Sequence, residues 1–221
     1  MHLILVRHGE SEGNRQGRMQ GHLDFPLSPR GEEQARHLAA WLEVQNVEWS
    51  AAYSSPLRRA SETAAIIAAV TGRAPATPLE ELREIGAGSL EGMSREDMTA
   101  KNPAFLDRGL AGLGDFAEFG GESYDDVQAR VARLRTRLEG AHRAAGDTVL
   151  LVGHGGINFQ LLKSLICEPV PRVCIVRMGN CTATRVRMRE RRGVFIGEVV
   201  WHVPIELMGG GSGEGAGSLF R

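Results

Sequence analysis

The chain alternates short apolar runs with longer stretches in which apolar residues recur every three or four positions. The runs at residues 2–6 and 148–152 and the strand-like segment 50–54 predict β-strands, because strands buried in a parallel sheet are short and nearly continuously apolar. Two further runs, at residues 181–188 and 194–203, flank an arginine- and glycine-containing turn, which predicts an antiparallel hairpin.

Helices are predicted where the apolar positions take on helical spacing. Ser28 and Ser55 each precede a proline, which is typical of a helix cap and first turn, and Ser123 stands three residues before an acid. Residues 157–166 also have helical character, whereas the polar, glycine-containing residues 9–26 predict a loop. The expected buried stripes of the first three helices are Ala35, Leu38, Ala39 and Leu42, then Ala60, Ala64, Ile67 and Ala68, then Val127, Val131, Leu134 and Leu138.

Strands that alternate with helices predict an α/β fold, here a three-layer α/β/α sandwich with a mainly parallel sheet and an antiparallel edge. With 221 residues the chain is long enough for one substantial core, so we expect a single domain over residues 1–208. Residues 209–221 contain the stretch GGGSGEGAGS, which predicts a disordered tail.

Composition and charge exclude several classes of partner. Hydrophobic residues make up 42% and charged residues 24% of the chain, as in ordinary globular proteins. A formal net charge of -1 gives no overall attraction to nucleic acid or to anionic membranes, so neither is expected as a partner. The apolar start at residues 1–6 is too short for a signal peptide or a membrane span, which predicts a cytoplasmic protein. The oligomeric state stays open, with a homodimer among the alternatives.

The three cysteines do not indicate a metal or redox site. Cys167, Cys174 and Cys181 are spaced seven residues apart, without a CxxC pair and without a histidine at ligand spacing. We therefore interpret all three as structural thiols.

Two histidines and two arginines are expected at one edge of the sheet. Arg7 and His8 follow the first strand, Arg59 lies just after the start of the helix that follows the second, and His154 follows the strand at 148–152. The carboxyl ends of parallel strands converge on one crevice, where ligands bind. A guanidinium group binds phosphoryl oxygens through two parallel hydrogen bonds. An unprotonated imidazole is a nucleophile near neutral pH. These residues therefore predict a pocket for a phosphoryl dianion.

Five motifs in order along the chain resemble those of the histidine phosphatase superfamily, which includes the cofactor-dependent phosphoglycerate mutases. They are RHGESEGN at 7–14, MQGHLDFPLS at 19–28, SPLRRASETA at 55–64, LREIGAGSLEG at 82–92 and LLVGHGG at 150–156. The resemblance implies that His8 accepts the phosphoryl group, that Arg7, Arg59 and His154 hold its oxygens, and that no metal or other cofactor takes part. In this interpretation Arg58 is a surface charge.

The resemblance also implies which residues line the pocket. Asn14 supplies a polar contact to the phosphoryl group, and Gln20, Gly21 and Gly155 line the wall with side-chain or backbone donors. His22 lies beside Gly21 and is the one remaining histidine that could touch substrate. The others are interpreted as structural, namely His2, His37, His142 and His202.

The acid of the reaction is identified by the resemblance alone. The segment LEELREIG contains three acids, and its residues alone do not show whether Glu80, Glu81 or Glu84 is the catalytic acid. Only the resemblance selects Glu84. Glu84 would protonate the leaving oxygen and then activate water. Glu10 and Glu122 are interpreted as structural residues, and Glu122 is expected to lie nearer the substrate than Glu10.

We therefore expect a metal-independent phosphomonoesterase that acts through phosphohistidine on a small phosphorylated metabolite. A phosphoglycerate mutase is the first alternative. Mutases of this family carry a tyrosine shortly after the acid, where this chain reads Glu84-Ile85-Gly86-Ala87, and residues 101–121 lack the arginine pair of the mutases. A catalytically inactive phospho-ligand binding module is the second alternative. Residues 101–121 are also rich in glycine and contain large apolar side chains that suggest a movable lid, among them Phe105, Leu110, Phe116 and Phe119.

Overall fold

The computed structural model describes residues 1–101, 115–142, 144, 146–167, 176, 178–191 and 194–208. The strands are β1 (His2–Arg7), β2 (Ala51–Ser54), β3 (Thr77–Pro78), β4 (Thr148–Gly153), β5 (Ala183–Arg191) and β6 (Val194–Val203). The helices are α1 (Glu12–Arg15), α2 (Pro29–Val44), α3 (Arg58–Thr71), α4 (Arg95–Lys101), α5 (Tyr124–Ala141) and α6 (Gly155–Ile166). Short 3₁₀ turns at Glu80–Leu82, Gly88–Leu90, Ala117–Phe119 and Ile205–Leu207 complete the described elements.

The described strands form one mixed sheet in the order β3-β2-β4-β1-β5-β6. β1, β2, β3 and β4 pair in parallel, whereas β5 is antiparallel to both β1 and β6. In the central pair Arg7 of β1 lies opposite Gly153 of β4, so the two strands end at the same level. The predicted parallel sheet with an antiparallel edge is therefore confirmed.

Alternate residues of the central strands face two different helical layers. Leu5 of β1 packs in one core cluster with the apolar stripes of α5 and α6, and its neighbour Ile4 packs in a second cluster with those of α2 and α3. All four residues of the predicted α2 and α5 stripes are buried, and of the α3 stripe all but Ala68. Side chains on successive strand residues point to opposite faces, so this burial on both sides confirms the three-layer sandwich.

Two predicted helix starts are confirmed and one is wrong. The Ser28 and Ser123 hydroxyls accept hydrogen bonds from the first turns of α2 and α5. Ser55 was expected to cap the next helix, but α3 begins at Arg58 and its N-cap residue is Leu57. The Ser55 hydroxyl accepts from the Leu57 N–H, which precedes the helix, at 3.2 Å and also bonds to the ring of His154 at 2.8 Å.

Local pattern did not predict some of the described elements. The segment predicted as one loop, 9–26, contains the single turn α1, and α4 was not expected. The predicted tail at 209–221 and most of the proposed lid, residues 102–114, lie outside the described residues. No helix in the described part of the chain combines the length and apolar character that a membrane span requires.

The described cysteines agree with a structural role. Cys181 is fully buried beside β5, and burial raises the pKa of its thiol to about 12. Cys167 is a half-buried free thiol, and Cys174 lies outside the described residues.

Candidate active site

A pocket of about 580 Å³ opens at the carboxyl ends of β1 and β4. Its wall includes all but one of the residues named from the sequence as catalytic or pocket-lining: Arg7, His8, Asn14, Gln20, Gly21, Arg59, Glu84 and Gly155. The exception is His154, which is fully buried and packs edge-on against His8 with 5.1 Å between ring centroids.

Strand register brings the two histidines together. Because Arg7 is paired with Gly153, the next residues, His8 and His154, leave the sheet side by side. The backbone N–H of His8 extends this pairing by donating to the Gly153 carbonyl at 3.0 Å. Because the parallel strands β1 and β4 end at the same level, both imidazoles lie in one crevice.

The hydrogen bonds of His8 leave one ring nitrogen for chemistry. Its Nδ1 lies 2.6 Å from the carbonyl oxygen of Gly9, an acceptor, so Nδ1 carries the proton. The lone pair is therefore on Nε2 of a side chain that is 2% exposed and lines the pocket. The Gly9 N–H itself donates to the Thr63 hydroxyl, which ties the turn to α3. This arrangement holds His8 in the tautomer that a nucleophile needs.

Arg7 presents a donor without a partner. Its Nη1 donates to the carbonyl of Met178 at 2.6 Å, but its buried Nε has no hydrogen-bond partner among the described residues. Buried N–H groups are nearly always paired, and an unpaired one costs about 1–3 kcal/mol. An anion in the pocket would supply the missing acceptor.

Arg59 is fully buried in the first turn of α3 and is held by three donated hydrogen bonds. Its Nη1 and Nη2 donate to the carbonyls of Leu23 and Gly21 at 2.7 and 2.8 Å, and its Nε donates to Nδ1 of His154 at 3.1 Å. His154 Nδ1 is therefore an acceptor, and its Nε2–H donates to Ser55. These contacts show that His154 positions Arg59; its direct contact with a phosphoryl oxygen stays a prediction.

The electrostatics keep both imidazoles neutral. Burial lowers the pKa of His8 well below 6.5, and the positive charges of Arg7 and Arg59 lower it further. Burial also lowers the pKa of His154 well below 6.5, with His8 and the same arginines adding to the effect. Burial lowers the pKa of Arg59 to about 10, which leaves it charged at neutral pH. The site thus combines a neutral imidazole with two cations.

Glu84 lines the pocket, and its carboxylate caps helix α6. One carboxylate oxygen accepts N–H bonds from Ile85 and Ile157 at 2.9 and 3.1 Å, and the other accepts from Gly156 at 3.1 Å. Anions are favourable at a helix N-terminus, so these bonds fix the carboxylate in place. Glu80 is exposed and Glu81 binds Arg137, and neither lines the pocket.

An ion pair holds the turn that carries Glu84. Arg130 of α5 is 8% exposed and binds both carboxylate oxygens of Glu122 at 2.9 and 2.7 Å. Its Nη1 also donates to the carbonyl of Arg83 at 2.6 Å, and the ring of His22 donates from Nε2 to the carbonyl of Glu84 at 2.9 Å. Glu122 therefore has the structural role expected of it, and His22 supports the acid without lining the pocket.

Asn14 and Gln20 belong to a hydrogen-bonded loop around the α1 turn. The Asn14 Oδ1 accepts from the Ser11 backbone at 3.2 Å and from Asn180 Nδ2 at 3.2 Å. The Gln20 Oε1 accepts from the Ser11 hydroxyl at 2.6 Å. Their amide nitrogens are consequently the groups left to donate into the pocket. Asn180 also donates to the His8 carbonyl at 3.1 Å, which links the turn before β5 to the backbone of His8.

Of the two glycines expected in the pocket wall, the structure requires glycine at Gly21. Gly21 has a φ of +48°, and a side chain there would collide with the carboxylate of Glu91. A Cβ at Gly155 would lie 3.6 Å from the Arg7 guanidinium, an ordinary contact distance, so Gly155 lines the pocket without this steric requirement.

The described pocket wall also contains apolar side chains and three polar side chains that were not predicted from the sequence. The apolar part includes Met19, Met98, Phe116 and Phe159, and Phe116 and Phe119 both pack on the core. The polar side chains are Arg18, Arg95 and Gln160. Gln160 is 1% exposed, and its Nε2 has no hydrogen-bond partner among the described residues.

Among the described residues, no group of three or more histidine, cysteine, aspartate or glutamate side chains is arranged to hold a metal ion. Arg58 is exposed and pairs with Glu62, as expected of a surface charge, and the Glu10 carboxylate accepts from the Ser28 hydroxyl. These groups are separate from the pocket chemistry.

Comparison with known proteins gives one family over nearly the whole chain. The family model described as the histidine phosphatase superfamily (branch 1) matches residues 3–198. The probable phosphoglycerate mutase GpmB of Salmonella paratyphi A is 31% identical over 201 residues, which cover 90% of this chain and 91% of that protein.

Solved structures agree with this result. A mycobacterial glucosyl-3-phosphoglycerate phosphatase, solved as a complex with VO3, is 30% identical with a TM-score of 0.79 and covers 90% of this chain and 98% of its own. Bacillus stearothermophilus YhfR is 31% identical with a TM-score of 0.77 and covers 92% of this chain and 98% of its own.

Proposed function

Because the chain belongs to the histidine phosphatase superfamily, we propose that it is a metal-independent phosphomonoesterase that forms a phosphohistidine at His8 and acts on a small phosphorylated metabolite. Phosphatases are among its structural relatives, which supports hydrolysis over transfer.

One observation carries the proposal: a buried donor without a partner lies beside a nucleophile whose lone pair is free. Arg7 Nε lacks an acceptor among the described residues, and His8 has its Nδ1 engaged with Gly9 and its Nε2 available. A tetrahedral anion held by Arg7 and Arg59 would satisfy the donor and present phosphorus to Nε2. The mycobacterial relative has been solved with VO3 and with inorganic phosphate, which supports an anion of this shape.

In the first chemical step, His8 Nε2 attacks phosphorus and the bond from phosphorus to the ester oxygen breaks. Arg7 and Arg59 stabilise the charge on the equatorial oxygens, and the Gly9 carbonyl stabilises the proton on Nδ1 as the ring becomes positive. Glu84 in its protonated form donates to the leaving alcohol oxygen. The products of this step are the free alcohol, phosphohistidine and the Glu84 carboxylate.

In the second step, water attacks phosphorus as the bond from phosphorus to Nε2 breaks. The Glu84 carboxylate takes the proton from this water, so it ends in the state in which it began. Inorganic phosphate leaves, and His8 is again neutral. The same carboxylate thus serves as acid and base in a ping-pong hydrolysis.

Radiolabelled substrate and rapid quenching test the phosphatase proposal. We expect hydrolysis of an aryl phosphate in the presence of EDTA, with an acid-labile, alkali-stable label on the protein that His8→Asn abolishes. Turnover of that variant should fall by at least about a thousandfold, because removal of a nucleophile leaves only binding contributions. His37→Asn is the matched control, since His37 is exposed on α2.

The same experiment distinguishes the alternatives. A phosphoglycerate mutase, suggested by the name of the GpmB relative, would pass the label to a phosphoglycerate acceptor faster than to water. A binding module would bind phosphate without turnover. Either result, or full activity of His8→Asn, would overturn the proposal.

A further inference from the structure

The side chain of Gln160 is buried in the pocket wall and is not used by the proposed phosphoryl chemistry. Gln160 lines the pocket and is 1% exposed. Its Nε2 has no hydrogen-bond partner among the described residues. Buried amide nitrogens are nearly always paired, because an unpaired one costs free energy. An acceptor that enters the pocket would supply the missing partner.

A second glutamine fixes the orientation of this amide. Gln128 of α5 donates from Nε2 to Oε1 of Gln160 at 3.0 Å. The Gln160 oxygen is thus engaged with the adjacent helix, and its Nε2 is the group left to donate. Because the side chain is already buried and held, a ligand that accepts from Nε2 does not have to order it on binding.

Helix geometry places Gln160 on the face of α6 that borders the pocket. The residues of α6 that line the pocket are Gly155, Gly156, Phe159 and Gln160. Gly156 and Gln160 are four positions apart, so they lie on one face of the helix, separated by about one turn of 5.4 Å along its axis.

This position lies on the side of the pocket where the alcohol leaves. The backbone N–H groups of Gly156 and Ile157 each hold the Glu84 carboxylate at 3.1 Å. In the proposed reaction Glu84 protonates the ester oxygen as it leaves phosphorus. The alcohol part of the substrate therefore begins beside the first turn of α6, and Gln160 follows one turn later.

The surrounding wall indicates which kind of group Gln160 binds. Met98, Phe116, Phe159 and Met178 give the described wall a largely apolar character. The Gln160 amide is itself uncharged, so it supplies no charge to offset the cost of desolvating an anion. A single neutral donor in an apolar wall is suited to an uncharged oxygen and fixes the orientation of the ligand that carries it.

We propose that Gln160 is a specificity-determining residue whose Nε2 donates a hydrogen bond to an uncharged oxygen, a hydroxyl or a carbonyl, on the alcohol part of the substrate. A site that hydrogen-bonds such an oxygen discriminates against an analogue without it, because the buried donor is then left unpaired. This inference rests on the proposed phosphatase function and narrows its substrates to phosphate esters of alcohols that carry a further oxygen.

Matched alkyl phosphates test this role. Each pair consists of a hydroxyalkyl phosphate and the alkyl phosphate in which a methyl group replaces the hydroxyl, with spacers of two, three or four carbons. We expect the hydroxyl member to have a kcat/KM about tenfold higher for at least one spacer. Gln160→Met keeps a similar shape without the donor, so it should lower kcat/KM of that hydroxyl member about tenfold and affect the methyl member much less. Gln160→Asn, whose amide is one carbon shorter, should also reduce the preference.

Gln45→Met is the matched control, since Gln45 is exposed and lies outside the described pocket wall. Equal or slower hydrolysis of the hydroxyl member at every spacer, or a preference that survives in Gln160→Met, would overturn the role of Gln160 while the phosphatase proposal stands. Loss of both activities in Gln160→Met and Gln160→Asn alike would also overturn it, because the side chain would then support the fold. Absence of hydrolysis of every ester, p-nitrophenyl phosphate included, would overturn the phosphatase proposal and this inference with it.

Discussion

At the scale of single residues, the two buried imidazoles have different hydrogen bonds and therefore different roles. His8 donates from Nδ1 to a backbone carbonyl and keeps a free lone pair on Nε2. His154 accepts from Arg59 at Nδ1 and bonds to Ser55 through Nε2, so both its nitrogens are engaged. In the proposed reaction the His8 ring attacks phosphorus, and the His154 ring holds the Arg59 guanidinium in place.

Glu84 is expected to act in proton transfer rather than in phosphate binding. We predict that Glu84→Gln lowers turnover of an alkyl phosphate by about a hundredfold or more, since that leaving group needs a proton, and affects p-nitrophenyl phosphate less. The inhibition constant of inorganic phosphate should change little. Steady-state kinetics on both esters are the measurement.

Glu80→Gln is the control for this substitution, because Glu80 is the exposed acid of the same segment. Full activity of Glu84→Gln on the alkyl ester would remove Glu84 from the mechanism.

At the scale of elements, the acid depends on contacts from α5. The turn before Glu84 contributes backbone carbonyls to Arg130, and Arg130 is in turn held by Glu122. Loss of one partner from a fully buried ion pair destabilises a protein by about 3–5 kcal/mol, and the effect here should be smaller because the Glu122 side chain is 22% exposed. The pair therefore contributes to folding as well as to the placement of Glu84.

We predict that Arg130→Lys lowers turnover on alkyl phosphates about tenfold, with little change in the inhibition constant of inorganic phosphate. Lysine keeps the positive charge but cannot form the two parallel hydrogen bonds of the guanidinium group. If Arg130 acts through Glu84, its substitution should have almost no further effect in the Glu84→Gln background. A double-mutant cycle measures this coupling.

Arg133→Lys, at an exposed position of α5, is the control. Additive effects of the Arg130 and Glu84 substitutions would show that the ion pair supports only the fold.

At the scale of the whole molecule, burial of two neutral histidines links stability to pH. In the unfolded chain each imidazole takes up a proton near pH 6.5, whereas the folded pKa values of His8 and His154 lie well below that. The unfolded state thus binds more protons as the pH falls below 6.5. The free energy of unfolding is therefore unaffected by the protonation of these two histidines above pH 6.5 and decreases as the pH falls below it.

We predict that each of the two groups lowers the free energy of unfolding by about 1 kcal/mol between pH 6.5 and 5.5, with a limiting slope of about 1.4 kcal/mol per pH unit at lower pH. His8→Asn should therefore reduce the pH dependence between pH 6.5 and 5.5 by about 1 kcal/mol. Urea unfolding across this range measures it, and an unchanged pH dependence would show that folding does not lower the pKa of His8.

The sequence predicted those features that depend on local pattern. Strands β1 and β4, the caps at Ser28 and Ser123, and the approach of Arg7, His8 and Arg59 to one edge of the sheet follow from apolar runs and cap residues. The exception is Ser55, since α3 begins at Arg58 and the Ser55 hydroxyl bonds to the Leu57 N–H and to the ring of His154, 99 residues away.

Other features depend on tertiary pairing and carry no local signal. Arg18 meets Gly92 across 74 residues, and Arg130 meets the Glu84 carbonyl across 46. Nothing in the spacing of either arginine distinguishes it from a surface charge. Glu84 itself was selected among three nearby acids only through the family motif.

The pairing of Arg7 with Gly153 has a consequence for how this chain can vary. Strand side chains alternate between faces, so inserting one residue into β1 or β4 would turn His8 or His154 toward the opposite helical layer. Loops that leave the sheet tolerate added length far better. Variation in the reactive centre is therefore confined to substitutions, whereas changes in length are expected to accumulate in the loops that meet the alcohol part of the substrate.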